Sequence, residues 1–174
     1  MLHAERITDT SHPLYGAALA LYAESFPLHE RREARSQTAI LRNDAYHFDV
    51  FTDGADLIGE ILSWDMGDFL YVEHFCIAPS VRNRGYGSAV LRSLGGRAVI
   101  LEIDPETDET AKRRRGFYER CGFVGNPYRH IHPPYHAHNT GHLLTVMSFP
   151  RALSPDEYGN FRAYLENTVM KNAF

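Results

Sequence analysis

The stretch "VEHFCIAPSVRNRGYGSAVL", Val72 to Leu91, decides how this chain is read. Strand-forming residues run up to Pro79, a polar loop carries Arg82, Asn83 and Arg84, and "GYGSA" (85–89) then opens an apolar helical repeat. A helix entered this way aims its unpaired first-turn amides at whatever lies in front of the loop. Three phosphate-binding patterns compete for it. A Walker loop ends in Gly-Lys-Ser/Thr, which this loop lacks. A dinucleotide fingerprint needs glycine or alanine three residues after Gly87, where Val90 stands, and it belongs to a βαβ unit, whereas the strand here follows a hairpin. The third pattern is a strand–loop–helix cradle for a pyrophosphate, with glycines for close backbone approach and Arg82 and Arg84 as charged donors. Its bland alternative is a helix start with exposed arginines.

Working outward, "LHAERITD" (2–9) reads as a first strand and "SHPLYGAALALYAESF" (11–26) as a helix with Ser11 as N-cap. Pro27 breaks the chain before a second, charged helix in "FPLHERREARSQTAILRN" (26–43). "YHFDVFTDGADLIGEILSW" (46–64) is a hairpin about a "TDGAD" turn, and "DFLYVEHFCIAP" (68–79) is a further strand. After the loop come a helix ended by Gly95 and Gly96, a buried-looking strand in "RAVILEID" (97–104), and a helix in "DETAKRRRGFYERCGF" stopped at Gly122. "VGNPYRHIHPP" and "HLLTVMSFP" bracket a loop as a closing pair of strands, and "SPDEYGNFRAYLENTVMK" carries a capping signal into a last helix. This order is that of an α+β fold with a central, mostly antiparallel sheet.

Composition bounds the function. The 174 residues, 44% hydrophobic and 23% charged, suit one soluble domain spanning 1–174. A formal charge of −4 provides no field to draw nucleic acid or an anionic membrane, so neither is expected as a partner. Cys76 and Cys121 show no disulfide or metal spacing, and "MLHAERITDT" has no apolar core of signal-peptide length; a cytoplasmic protein is expected. The run "KRRR" (112–115) is spread around its helix and reads as a solvated face, with room for one arginine near a phosphate.

"VEHFCIAPSVRNRGYGSAVL" resembles the signature of the GNAT superfamily of acetyl-CoA-dependent N-acetyltransferases. Arg82, Gly85 and Gly87 match its Arg/Gln-x-x-Gly-x-Gly/Ala loop, and "FYERCGF" (117–123) matches its aromatic helix end followed by Gly-Phe. Two motifs in the expected order, with matching elements across nearly the whole chain, imply a three-layer fold with helices on both sheet faces and a splay between the fourth and fifth strands. They imply acetyl-CoA as cosubstrate and a primary amine of a small molecule or peptide as acceptor, attacked directly in a ternary complex. The alternatives are acetylation of a protein or ribosomal N-terminus and a non-catalytic acyl-CoA-binding module. Monomer and homodimer both remain open.

The resemblance also distributes roles. Backbone at Phe75 and Ile77 is expected to pair with the pantetheine arm, and residues 82–88 (Arg82, Asn83, Arg84, Gly85, Tyr86, Gly87, Ser88) to hold the pyrophosphate. Glu73 is the expected general base, on the same face as Ile77 unless a bulge intervenes, with His74 in reserve on the other face. Cys76 is expected to face away from Glu73. Tyr118 matches the family's acid: a phenol that stays protonated at neutral pH can protonate the departing thiolate. Core packing is the other role open to it. "SFPLHERR" (25–32), with Phe26 and Glu30, is one expected wall of the acceptor pocket. "RHIHPPYHAHNTGH" (129–142), with Tyr135 and a histidine, is the other. Its five histidines have no Cys, Asp or Glu beside them, so no metal is expected.

Overall fold

The computed structural model describes residues 1–174. Its centre is one sheet. Strand β1 (Leu2–Ile7) pairs antiparallel with β2 (Tyr46–Asp53), which turns tightly at Gly54 into β3 (Asp56–Asp65), and β3 pairs antiparallel with β4 (Leu70–Ile77). Next comes β5 (Val99–Ile103), parallel to β4, and then β8 (His142–Phe149), antiparallel to β5. The closing segment expected as one strand is two short ones, β6 (Val124–Gly125) and β7 (His130–His132), both paired with β8. Pro127, which lacks an amide donor, lies in the break between them.

Alternation along the strands sorts side chains to two faces. Phe48, Val50, Leu62, Trp64 and Tyr71 pack on one face. There they meet Ala18 and Tyr22 of helix α1 (Tyr15–Ser25), Leu41 after α2 (Ala34–Ile40), and Phe161 and Leu165 at α5 (Pro155–Tyr164). On the other face Ile61, Leu70, Val72, Val99 and Leu101 meet Val90 and Leu91 of α3 (Tyr86–Ser93) and Tyr118 of α4 (Glu109–Arg120). Helices cover both faces, as the three-layer expectation required.

Two of the five α-helices carry side-chain N-caps. Asp108 caps α4 by accepting from the Ala111 amide, and Ser154 and Glu157 form a reciprocal capping box on α5. Ser11 does not cap α1. Its amide donates to Asp9 Oδ1 at 2.7 Å, an Asx-type turn, and α1 begins only at Tyr15 with no side-chain cap. No helix is long and apolar enough to cross a membrane.

Close approach of β3 to β4 depends on Gly59. A Cβ there would lie 2.4 Å from the Cys76 carbonyl oxygen and 2.8 Å from Ile77 Cδ1. Gly59→Ala should therefore push the strands apart just before the glycine loop, lowering unfolding free energy by about 1–3 kcal/mol. Urea denaturation at constant m-value measures this; an unchanged midpoint would contradict the close packing.

Candidate active site

The site begins with one residue too many. Leu62 of β3 lies opposite His74, but Ser63 lies opposite Val72, so Glu73 has no partner across the ladder: it is a β-bulge. The alternation changes phase there. Tyr71, Glu73, His74 and Cys76 turn toward the α1 face, while Phe75 and Ile77 join Val72 on the α3/α4 face. Glu73 and Ile77 therefore do not share a face, and His74 and Cys76 lie on the side of Glu73. Beyond the bulge β4 also parts from β5, the two being paired only over Leu70–Val72 and Val99–Leu101. This is the splay, and it opens a cleft of about 1320 Å³.

The Glu73 side chain is buried, 1% exposed, and so is that of Arg32, which donates from Nε to Oε1 at 3.1 Å. Trp64 Nε1 donates to Oε2 at 2.7 Å and the Tyr135 hydroxyl to Oε1 at 3.0 Å. Burial works to raise the Glu73 pKa, but the Arg32 charge, with the Trp64 hydrogen bond among the further causes, outweighs it and holds the carboxyl below its usual range. Three donors fill the carboxylate, so what Glu73 exposes to the cleft is its unpaired backbone. His74 differs. Its Nε2 lies 2.7 Å from the Glu30 carbonyl, which can only accept, so Nε2 carries the proton and Nδ1 is left as a lone pair with no partner. Burial lowers its pKa and keeps the ring neutral. Cys76 places its thiol 3.7 Å from Glu60 Oε1, and burial drives its pKa far up, so it offers no thiolate.

Past Ile77 the chain turns through Pro79–Val81 into the glycine loop. Gly85 is the N-cap of α3 at φ +83°, a conformation that costs other residues strain, and it frees the amides that follow. Arg82 Nε donates to the Ile77 carbonyl and Tyr86 donates to Asp53, so these two side chains shape the loop; Arg84 makes no hydrogen bond within the chain. Gly87 serves packing: a Cβ there would lie 3.1 Å from Phe117 Cζ, so its absence lets α3 lie against α4. Phe117 and Tyr118 follow at the end of α4. Tyr118 packs edge-on against Phe117 and Phe123, and its hydroxyl has no partner in the chain and lines the cleft. Burial raises its pKa, so it is a protonated donor. The basic run is spent largely on acids, Lys112 on Glu109, Arg114 on Asp104, and Arg115 on Glu106 and Glu119, while Arg113 lines the cleft.

Phe26, Glu30 and Tyr135 all line the same cleft. Phe26 packs on His74 with ring centroids 4.7 Å apart. The five histidines of 130–142 do not converge on one point. His130 bonds Glu102 and the Tyr158 hydroxyl, His132 turns Nδ1 to the Pro133 carbonyl, and His136 Nε2 bonds the Leu28 carbonyl at 2.8 Å. Two residues absent from the sequence reading organise this wall. Arg32 looks no different in sequence from Arg31 beside it. Glu102 did carry a signal, being the one charge in the apolar run "VILEI"; Tyr71 and His130 both bond it.

Comparison with known proteins agrees with this arrangement. No curated protein sequence matches the chain. The profile described as an acetyltransferase (GNAT) domain matches residues 44–125, from the second strand through the aromatic motif. A solved structure from Bacteroides thetaiotaomicron, assigned as an acetyltransferase of the GNAT family, is similar at 31% identity with a TM-score of 0.90, over 97% of this chain and 98% of that one. The Escherichia coli ribosomal-protein-S18-alanine N-acetyltransferase is similar in fold, at 18% identity and TM-score 0.59 over 90% of this chain and 97% of its own. An aminoglycoside 6'-N-acetyltransferase complexed with coenzyme A is similar at 15% identity and TM-score 0.55, over 84% and 95%. Sequence likeness along almost the full length, joined to a bulged and splayed strand running into the glycine loop, places the chain in the GNAT family of acetyltransferases.

Proposed function

We propose that residues 1–174 work as one domain that moves an acetyl group from acetyl-CoA to a primary amine of a small molecule or peptide, by direct attack in a ternary complex. The observation that carries this reading is the splay: β4 leaves β5 after Val72, and the backbone freed there leads straight to the Gly85 helix start. An extended, amide-bearing arm can pair with the strand edge at Phe75 and Ile77, as a further strand would. The amides of residues 85–88, with Arg84 unpaired beside them, then face its pyrophosphate. Asn83 at φ +62° shapes the approach to that turn. No metal enters these steps, since the chemistry asks only for a neutral amine, a polarised carbonyl and a protonated leaving thiol.

Tyr118 is the acid in this scheme. It holds its proton, has no other partner and lies in the cleft. The proton-accepting role passes from Glu73 to His74. A carboxylate filled by Arg32, Trp64 and Tyr135 takes a proton poorly, whereas His74 Nδ1 is a buried lone pair without a partner on a neutral ring, which the acceptor amine reaches by displacing the side chains that cover it. Glu73 then holds Arg32 and the Tyr135 wall in place. Phe26, Glu30 and Tyr135 surround the acceptor, and the Glu30 carboxylate favours a cationic one.

A panel of small amines, polyamines and peptide N-termini, assayed for thiol release, tests the reaction. Release with a small amine supports it; release only with peptides moves the acceptor to a protein N-terminus; coenzyme binding without release from any of them leaves a binding module. Tyr118→Phe should lower kcat by about 10²-fold while acetyl-CoA affinity changes little. His74→Phe keeps the aromatic packing and should lower kcat by about 10²–10⁴-fold. Because burial pushes the His74 pKa below its ordinary 6.5, the wild-type rate should hold at pH 7 and fall on acidification below that value. That limb should vanish in His74→Phe, and its persistence would remove His74 from the role. Glu73→Gln should act on stability instead, lowering unfolding free energy by about 3–5 kcal/mol by stranding the buried guanidinium.

A further inference from the structure

The histidines of 130–142 have no acidic neighbour in sequence, but the fold brings one to His142 from the opposite wall. His29 and Glu30 lie on the single 3-10 turn Leu28–Glu30, and His142 is the first residue of β8. His29 Nε2 lies 3.6 Å from Glu30 Oε1, the His29 and His142 rings are 5.9 Å apart, and one ligand atom of each residue lies within 4.8 Å of the others. A tetrahedral ion with ligands at about 2.0–2.1 Å holds them roughly 3.4 Å apart. The side chains are 57%, 31% and 40% exposed, so rotations about their own bonds can close the difference. No arginine or lysine pairs with Glu30, whose one close ionisable neighbour in a pair is His29.

The turn is also braced. His136 Nε2 bonds the Leu28 carbonyl and His74 Nε2 bonds the Glu30 carbonyl, so both ends of the three-residue turn are fixed by side chains from other elements. On the other side, Asp104 Oδ1 stands 3.8 Å from His142 Nε2, beyond hydrogen-bond distance, and its carboxylate pairs with Arg114. Two imidazoles and one carboxylate form a donor set suited to a borderline divalent cation, zinc above all. All three residues line the rim of the acceptor side of the cleft.

We propose that His29, Glu30 and His142 form a zinc-binding site that straps the turn at residues 28–30 to the start of β8 and closes the acceptor entrance. The ion is not a reactant; it is a removable closure. Its binding stands independently of the reaction proposed above, while its effect on turnover rests on that reading.

Calorimetric titration of the tag-free chain, residues 1–174, with Zn²⁺ alone tests the site. One ion should bind per chain. His142→Ala and Glu30→Gln, both on partly exposed side chains, should each weaken binding by more than about tenfold, since losing even an indirect partner of a ligand costs about 10–100-fold. His12→Ala serves as the control. His3 and His12 each lie 3.6 Å from Glu5, but the three do not cluster, so its affinity should match wild type. In the thiol-release assay Zn²⁺ should inhibit wild type, with reversal by EDTA, and spare His142→Ala; coenzyme A affinity should not change. Absence of saturable one-to-one binding, or equal binding by the two ligand variants and wild type, overturns the site. Tight binding without inhibition of an active enzyme overturns the closure. A protein that releases no thiol with any amine yet binds zinc as described would remove the proposed reaction and leave the site standing.

Discussion

One unpaired strand residue sets the geometry of everything around it. At Glu73 the β3–β4 ladder skips a position, and two consequences follow at once. Backbone polar groups that would have continued the pairing with β5 are left facing a gap. Two successive side chains, Glu73 and His74, fall on the same face, which regular alternation forbids. The bulge thus creates both the opening and the pair of titratable groups beside it. A regular strand would have yielded neither.

The carboxylate at that bulge is also where distant parts of the chain meet. Trp64 from β3, Arg32 from before α2 and Tyr135 from the loop after β7 all end on it. Arg32 continues the connection, donating to the Val169 carbonyl near the C-terminus and to Ser36, while its backbone amide donates to the Tyr22 hydroxyl of α1. Placing two opposite charges out of water costs several kcal/mol per ion before their attraction returns it. The cost is met here because every oxygen of the carboxylate and much of the guanidinium have partners. Such a group is stable only when all its members arrive together, which selects one arrangement of these segments over others of similar hydrophobic burial.

The glycine loop, the aromatic helix end and the order of elements were legible in the sequence because each is local: Gly85 and Gly87, "FYERCGF" and the Ser154/Glu157 box need only their neighbours to be understood. What was not legible is long-range or depends on phase. A bulge shifts alternation by one, so every face assigned beyond Glu73, including those of His74, Cys76 and Ile77, inverts without any change of residue type. Arg32 lies 41 positions from its partner, in a run of charges typical of a solvated surface. Gly87 was recognisable as a necessary glycine, but the neighbour it makes room for, Phe117, belongs to another helix. His29 and His142 likewise meet only after folding.

The position of the gap within the sheet has a consequence for solubility. A strand edge with unmet amides and carbonyls ordinarily invites another chain to extend the sheet, the first step of aggregation. Here the exposed edge of β4 lies inside a wedge whose sides join three residues earlier, at Leu70–Val72. A second polypeptide bringing side chains of its own would need strand spacing of about 4.8 Å on both flanks along its whole length, which a wedge provides only at its wide end. The gap can therefore leave main-chain groups unsatisfied within the sheet without itself offering a continuous template to other copies.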